Sequence, residues 1–151
     1  MANLIKKLFT KEDLTAIAKA IGEAEKSTSG EIRVSIRQKR QRKESKLSME
    51  EMARQEFQAL RMTKTKDRTG VLIFLLLEES KFSIFADEGI HTKVGKDTWE
   101  KIAGEMSSHF SQKNFRLGII HGVQAVGAVL AKFFLRKPND TNELPNNVKI
   151  R

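Results

Sequence analysis

The stretch TGVLIFLLLEESKFSIFA, residues 69–86, decides the fold. Val71 to Leu77 is apolar without a break. A strand with one wet face alternates apolar and polar positions, so an unbroken run demands cover on both faces. Glu78-Glu79-Ser80 then supplies a short polar turn, and Lys81 to Ala86 returns as a second strand. The pair predicts an antiparallel hairpin whose first strand lies at the centre of a sheet.

Upstream, Glu31 to Ile36 alternates: Ile32, Val34 and Ile36 point one way, and Arg33, Ser35 and Arg37 the other. That pattern predicts a strand with one well-buried face. Between the two strands, Ser48 and Glu51 form a capping box, followed by Met52, Ala53, Phe57 and Leu60 on one helical face. Two strands joined through a helix are expected to lie parallel with a right-handed crossover. An earlier helix starts at the Thr10/Asp13 cap, carries Leu14, Ile17, Ala18, Ile21 and Ala24 inward, and stops before the Ser29-Gly30 turn.

Downstream, Asp87-Glu88-Gly89 breaks the hairpin's second strand. Asp97 to Phe110 reads as a helix with Trp99, Ile102, Ala103, Met106 and Phe110 inside, and Phe115 to Phe134 as the longest, most apolar helix. The order αβαββαα predicts an α/β domain: a small mixed sheet, parallel crossover plus hairpin, with helices on both faces. One domain over 1–137 and a polar tail over 138–151, anchored at Leu144-Pro145, account for the 151 residues.

Hydrophobic residues make up 39% and charged residues 31%, which excludes a disordered chain. The absence of cysteine excludes disulfides, thiolate zinc sites and cysteine nucleophiles. Leu117 to Leu135 is interrupted by His121, Gln124 and Lys132, so it reads as a core helix and not a membrane span. The N-terminal MANLIKKLFTKEDL lacks the apolar stretch of a secretory signal, and a cytoplasmic location is the expectation.

The segments at 20–34 (AIGEAEKSTSGEIRV), 69–73 (TGVLI) and 87–90 (DEGI), with the amphipathic pair after Trp99, resemble the TPM domain family. That family is named for a thylakoid protein, a photosystem-associated protein and a worm membrane protein. The resemblance spans Leu14 to Leu135. It implies a three-layer α/β/α sandwich and divalent-metal binding, often calcium, through acidic loop residues. Acid phosphatase activity is attributed to a plant member, and many members carry a signal peptide and a membrane helix.

Topology itself gathers acids. Glu31 opens the first strand, Asp67 precedes the second, and Asp87 and Glu88 close the third, which runs the other way. All four are expected at one pole, where a hard cation such as calcium finds oxygen ligands. Separate solvated loop acids are the simpler alternative, and no EF-hand spacing is present. The opposite pole carries a basic loop. Between Arg37 and Lys46 stand six basic residues and one acid, Glu44. Arg37, Lys39, Arg40, Arg42 and Lys43 are candidate anion contacts, with nucleic acid as a weak, salt-dependent partner. No aromatic residue lies near this loop to stack a base. His91, His109 and His121 have no metal-ligand spacing; His91 adjoins the acids, and the other two read as packed or surface residues.

Three functions follow. The first is a calcium-binding, non-catalytic interaction or regulatory module. The second is a metal-assisted phosphatase with Arg68 or Lys66 steadying the phosphate, although no general acid or covalent nucleophile stands out. The third is a nucleic-acid or anionic-surface binder.

Overall fold

The computed structural model describes residues 3–64, 69–136, 146 and 148–151. Among the described residues, six α-helices and four strands follow in the order α1 (Leu4–Leu8), α2 (Lys11–Glu25), β1 (Glu31–Arg37), α3 (Met49–Ala59), β2 (Gly70–Leu76), β3 (Lys81–Ala86), α4 (Glu88–His91), α5 (Lys96–Ser111), α6 (Phe115–Phe133) and β4 (Lys149–Ile150). The sheet order is β3-β2-β1-β4. β1 and β2 are parallel, β2 and β3 antiparallel, and β4 parallel to β1. The mixed sheet, the crossover through α3 and the hairpin are those the sequence predicts.

Side-chain alternation splits the interior in two. Ile32, Val34 and Ile36 of β1 join Val71, Ile73 and Leu75 of β2 against α2, α5 and α6. Leu72, Phe74 and Leu76 face the other way, onto Met52, Ala53 and Phe57 of α3 and onto Met62. Every residue of β2 is buried, as an unbroken apolar run requires. The result is the three-layer α/β/α sandwich. α6 packs between α2 and α5 because glycines let it approach. A Cβ at Gly127 would sit 2.7 Å from Ala24 Cβ, and one at Gly122 would sit 2.5 Å from Met106 Sδ.

The helix caps follow the sequence. Thr10 and Asp13 close a reciprocal capping box on α2 through hydrogen bonds of 3.0 and 2.9 Å. Ser48 caps α3 through the Glu51 N–H. The hairpin turn is tighter than a plain loop: Leu77–Glu79 forms one 3-10 turn, and Ser80 takes a left-handed φ of 53° to redirect the chain.

Three features depart from the sequence reading. β1 is buried on both faces, not one, because Glu56 of α3, Glu44 of the 42–44 turn and Arg151 meet Arg33, Ser35 and Arg37 on the second face. Within the segment read as a polar tail, Lys149 and Ile150 add an edge strand to Ser35 and Ile36. Two short helices, α1 and α4, were too brief to leave a periodic signal. Leu144-Pro145 lies outside the described residues.

Candidate functional site

Main-chain hydrogen bonds fix the acidic pole. The Glu31 N–H donates to the Thr69 carbonyl at 3.2 Å, and the Asp87 N–H donates to the Gly70 carbonyl at 2.9 Å. Glu31 is in register with Gly70, and Val71 with Ala86. The first residues of β1 and β2 and the residue following β3 therefore meet, as the topology predicts. Glu31 and Asp87 are 3% and 4% exposed, whereas Glu88 stands in solvent. Asp87 Oδ1 accepts the Glu88 N–H at 2.7 Å and caps α4. Asp67 lies outside the described residues, as do Lys66 and Arg68. Among the described residues, no three His, Asp or Glu side chains are grouped to hold a metal ion as they stand.

A further acid that sequence reading missed joins this pole. Glu25, at the end of α2, is 5% exposed, and its Oε2 accepts the Ile32 N–H at 2.8 Å. Burial pushes its carboxyl up to about 8; the Ile32 N–H opposes that rise, and a hydrogen bond with the Glu31 carboxyl adds to it. At neutral pH the Glu25 carboxyl is therefore held largely in its protonated form. The signal was present: Glu25 stands four residues after Ile21, on the inward stripe of α2.

Beside the pole runs a cavity of about 880 Å³ lined by Asp87, Glu88, Arg54, His91 and Lys96, among others. It lies along β3, between α3 and the start of α5.

The basic loop is not the open anion-binding array its composition suggests. Residues 42–44 form a 3-10 turn held by its own arginines. Arg37 makes a two-pronged pair with Glu44, at 2.9 and 2.5 Å, with both side chains under 10% exposed. The Arg37 hydrogen bonds hold the Glu44 carboxyl down at about 2. Arg40 bonds Glu79 at 2.5 Å and the carbonyls of Glu44 and Leu47 at 2.8 and 2.6 Å. Of the five anion-contact candidates, Arg37 and Arg40 are thereby structural, while Lys39, Arg42 and Lys43 are exposed.

Behind this turn a charged layer fills the space under α3. Glu56 accepts from Ser35 and Arg151, and its field acts on Arg33. Glu56 falls on the helical stripe of Met52, Ala53 and Phe57, so its inward position was readable.

A mixed sheet between one helical layer and a three-helix layer, with an acidic pole where the parallel strands begin, defines a class of small α/β/α sandwich domains. The family model of the TPM domain matches residues 5–129, and the chain belongs to the TPM domain family. The fold is similar to that of BA42 protein from the psychrophilic bacterium Bizionia argentinensis. That match is 36% identical, covers 95% of each chain and has a TM-score of 0.86. The N-terminal domain of a P. gingivalis protein shares the fold at 19% identity, with 84% of this chain and 79% of that one covered and a TM-score of 0.67. The N-terminal domain of cg2496 protein from Corynebacterium glutamicum does so at 16% identity, with 81% and 74% covered and a TM-score of 0.62. No functionally curated protein matches the chain. Among the described residues, no helix is long and apolar enough to cross a membrane.

Proposed function

We propose that the chain is a divalent-cation-binding module, with calcium as the preferred ion, acting through interaction or regulation and not catalysis. The observation that supports this is the pair of main-chain bonds tying Glu31 and Asp87 to the Thr69-Gly70 segment, with both carboxylates buried. Glu31, Asp67, Asp87 and Glu88 are the proposed ligands, of which Glu31, Asp87 and Glu88 lie within the described residues. A cation bound at this pole would offset the negative charge of these carboxylates. Calcium accepts an irregular set of oxygen donors, whereas magnesium demands a tight octahedron, so calcium binds better.

The test is calcium titration followed by amide NMR and thermal denaturation. Amide shifts should centre on residues 31, 70 and 87–88, and the melting temperature should rise by mass action. Asp87→Asn keeps the α4 cap and removes a charge, so it should abolish the response while leaving the fold intact. Glu78→Gln, exposed at the opposite pole, serves as the control. Glu44 would be a poor control, since it is buried against Arg37. No thermal response at millimolar calcium, or shifts confined to residues 38–46, overturns the reading.

A second reading, a metal-assisted phosphatase, draws support from the cavity beside Asp87 and Glu88. Arg54, His91 and Lys96 line it and offer positive charge to a phosphoryl group. Calcium- or magnesium-dependent hydrolysis of p-nitrophenyl phosphate that falls in Arg54→Ala would favour it. Hydrolysis indifferent to both metal and Arg54 would reject it.

A further inference from the structure

His109 and His121 are twelve residues apart in sequence, yet their ring centres lie 5.5 Å apart. The turn at residues 112–114 folds α6 back on α5, and Gly118 lets the helices touch. A Cβ there would meet His109 Cβ at 3.1 Å. Glu105 stands four residues before His109, so both project from one face of α5. Glu105 Oε1 lies 3.4 Å from His121 Nε2. That nitrogen is shielded from solvent and makes no hydrogen bond, although the His121 side chain as a whole is 37% exposed. Two imidazoles and a carboxylate thus converge at the surface of the α5–α6 hairpin, with one ring nitrogen facing the carboxylate and unsatisfied.

We propose that Glu105, His109 and His121 form a site for a late first-row divalent ion, of which zinc is the representative. The distances fit. Two donors about 2.0–2.1 Å from a tetrahedral zinc lie about 3.4 Å apart, and two imidazoles on one zinc have ring centres about 5–5.5 Å apart. The donor set fits as well: imidazole suits zinc and copper, whereas calcium and magnesium take oxygen. As they stand, the three side chains are not grouped to hold a metal ion. Binding therefore requires these half-buried side chains to rotate onto the ion, with water completing the coordination. The site is independent of the acidic pole, in both its residues and its choice of metal.

The experiment is zinc titration of the full chain, followed by the imidazole carbon-bound proton signals and by thermal denaturation. The His109 and His121 signals should move or broaden together at one zinc per chain, with a rise in melting temperature. His109→Ala and His121→Ala should each weaken zinc binding by about tenfold or more, and Glu105→Gln by less. Should an alanine variant fail to fold, His109→Asn and His121→Asn keep a polar side chain at these positions. Asp87→Asn, which removes a proposed calcium ligand, should leave zinc binding unchanged, so the two readings fail separately. Undiminished zinc binding in a chain lacking both histidines, or zinc shifts that centre on His91 and the acidic pole, would overturn the proposal.

Discussion

The two faces of β1 are buried alike and built of opposite materials. Ile32, Val34 and Ile36 enter a hydrocarbon layer under α2, α5 and α6. Arg33, Ser35 and Arg37 are almost as deeply covered, but they sit among Glu44, Glu56 and Arg151. The hydrocarbon face is held by a force without direction, in proportion to area. The α3 face depends on each charge keeping its partner, because a buried ion left alone costs far more than the pair yields. Burial alone therefore does not tell what a substitution does; the partner inventory does.

The comparison breaks most severely if a charge is placed on the hydrocarbon face. Leu75 is 3% exposed among apolar side chains, and Leu75→Asp is expected to leave no cooperative unfolding transition by circular dichroism. On the α3 face, Glu56→Ala strands Arg151, Ser35 and Arg33 together, and chemical denaturation should show a loss of about 3–5 kcal/mol. The same measurement sharpens the contrast with the Arg37–Glu44 pair. Arg37→Met combined with Glu44→Leu should cost less than either change alone, since no charge is then left unmatched.

Acid and base titrate the two sides in opposite directions. Glu44, held down at about 2 against an ordinary 4.5, stabilises the native state fully above pH 4.5, and that contribution is lost as pH falls from there toward 2. Glu25, pushed up to about 8, does the reverse. The unfolded chain releases its proton near 4.5 and the native chain does not, so stability declines as pH rises from 4.5 toward 8. Thermal melts in chelator should therefore show a flatter slope between pH 5 and 8 for Glu25→Gln than for the parent. The smallest effect belongs to an exposed pair: Arg116→Ala, which loses Asp13 at 3.5 Å, should shift stability by no more than about 0.5 kcal/mol.

What was legible in the sequence depended on length and repetition. Val71 to Leu77 and the helices flanking β1 repeat one pattern long enough to reveal both element and face. The acidic pole was readable because strand direction alone brings Glu31 and Asp87 together. β4 was not readable: two residues cannot display a period, and its place beside β1 depends on a non-local pairing. The inward charge of α3 was passed over: Glu56 falls on the apolar stripe, but its partners, Ser35 and Arg151, come from distant parts of the chain. Likewise, the approach of His109 and His121 depends on how closely two helices pack, which spacing along the chain does not encode.

Gln38 bonds three distant parts of the chain at once. Its N–H donates to the Arg151 carbonyl at 3.0 Å, its carbonyl accepts from Glu78 at 2.9 Å, and its side-chain oxygen accepts the Leu4 N–H at 2.9 Å. Each of these contacts joins segments far apart in sequence, so closing this corner carries a large loop-closure cost and it is expected to assemble late. For the same reason it should open early. The two-residue β4 offers few bonds to hold it, and fluctuations that release it need not disturb β2. In native-state hydrogen exchange the Gln38 and Arg151 amides should lose protection through local opening, while those of Ile73 and Leu75 persist until the whole domain unfolds.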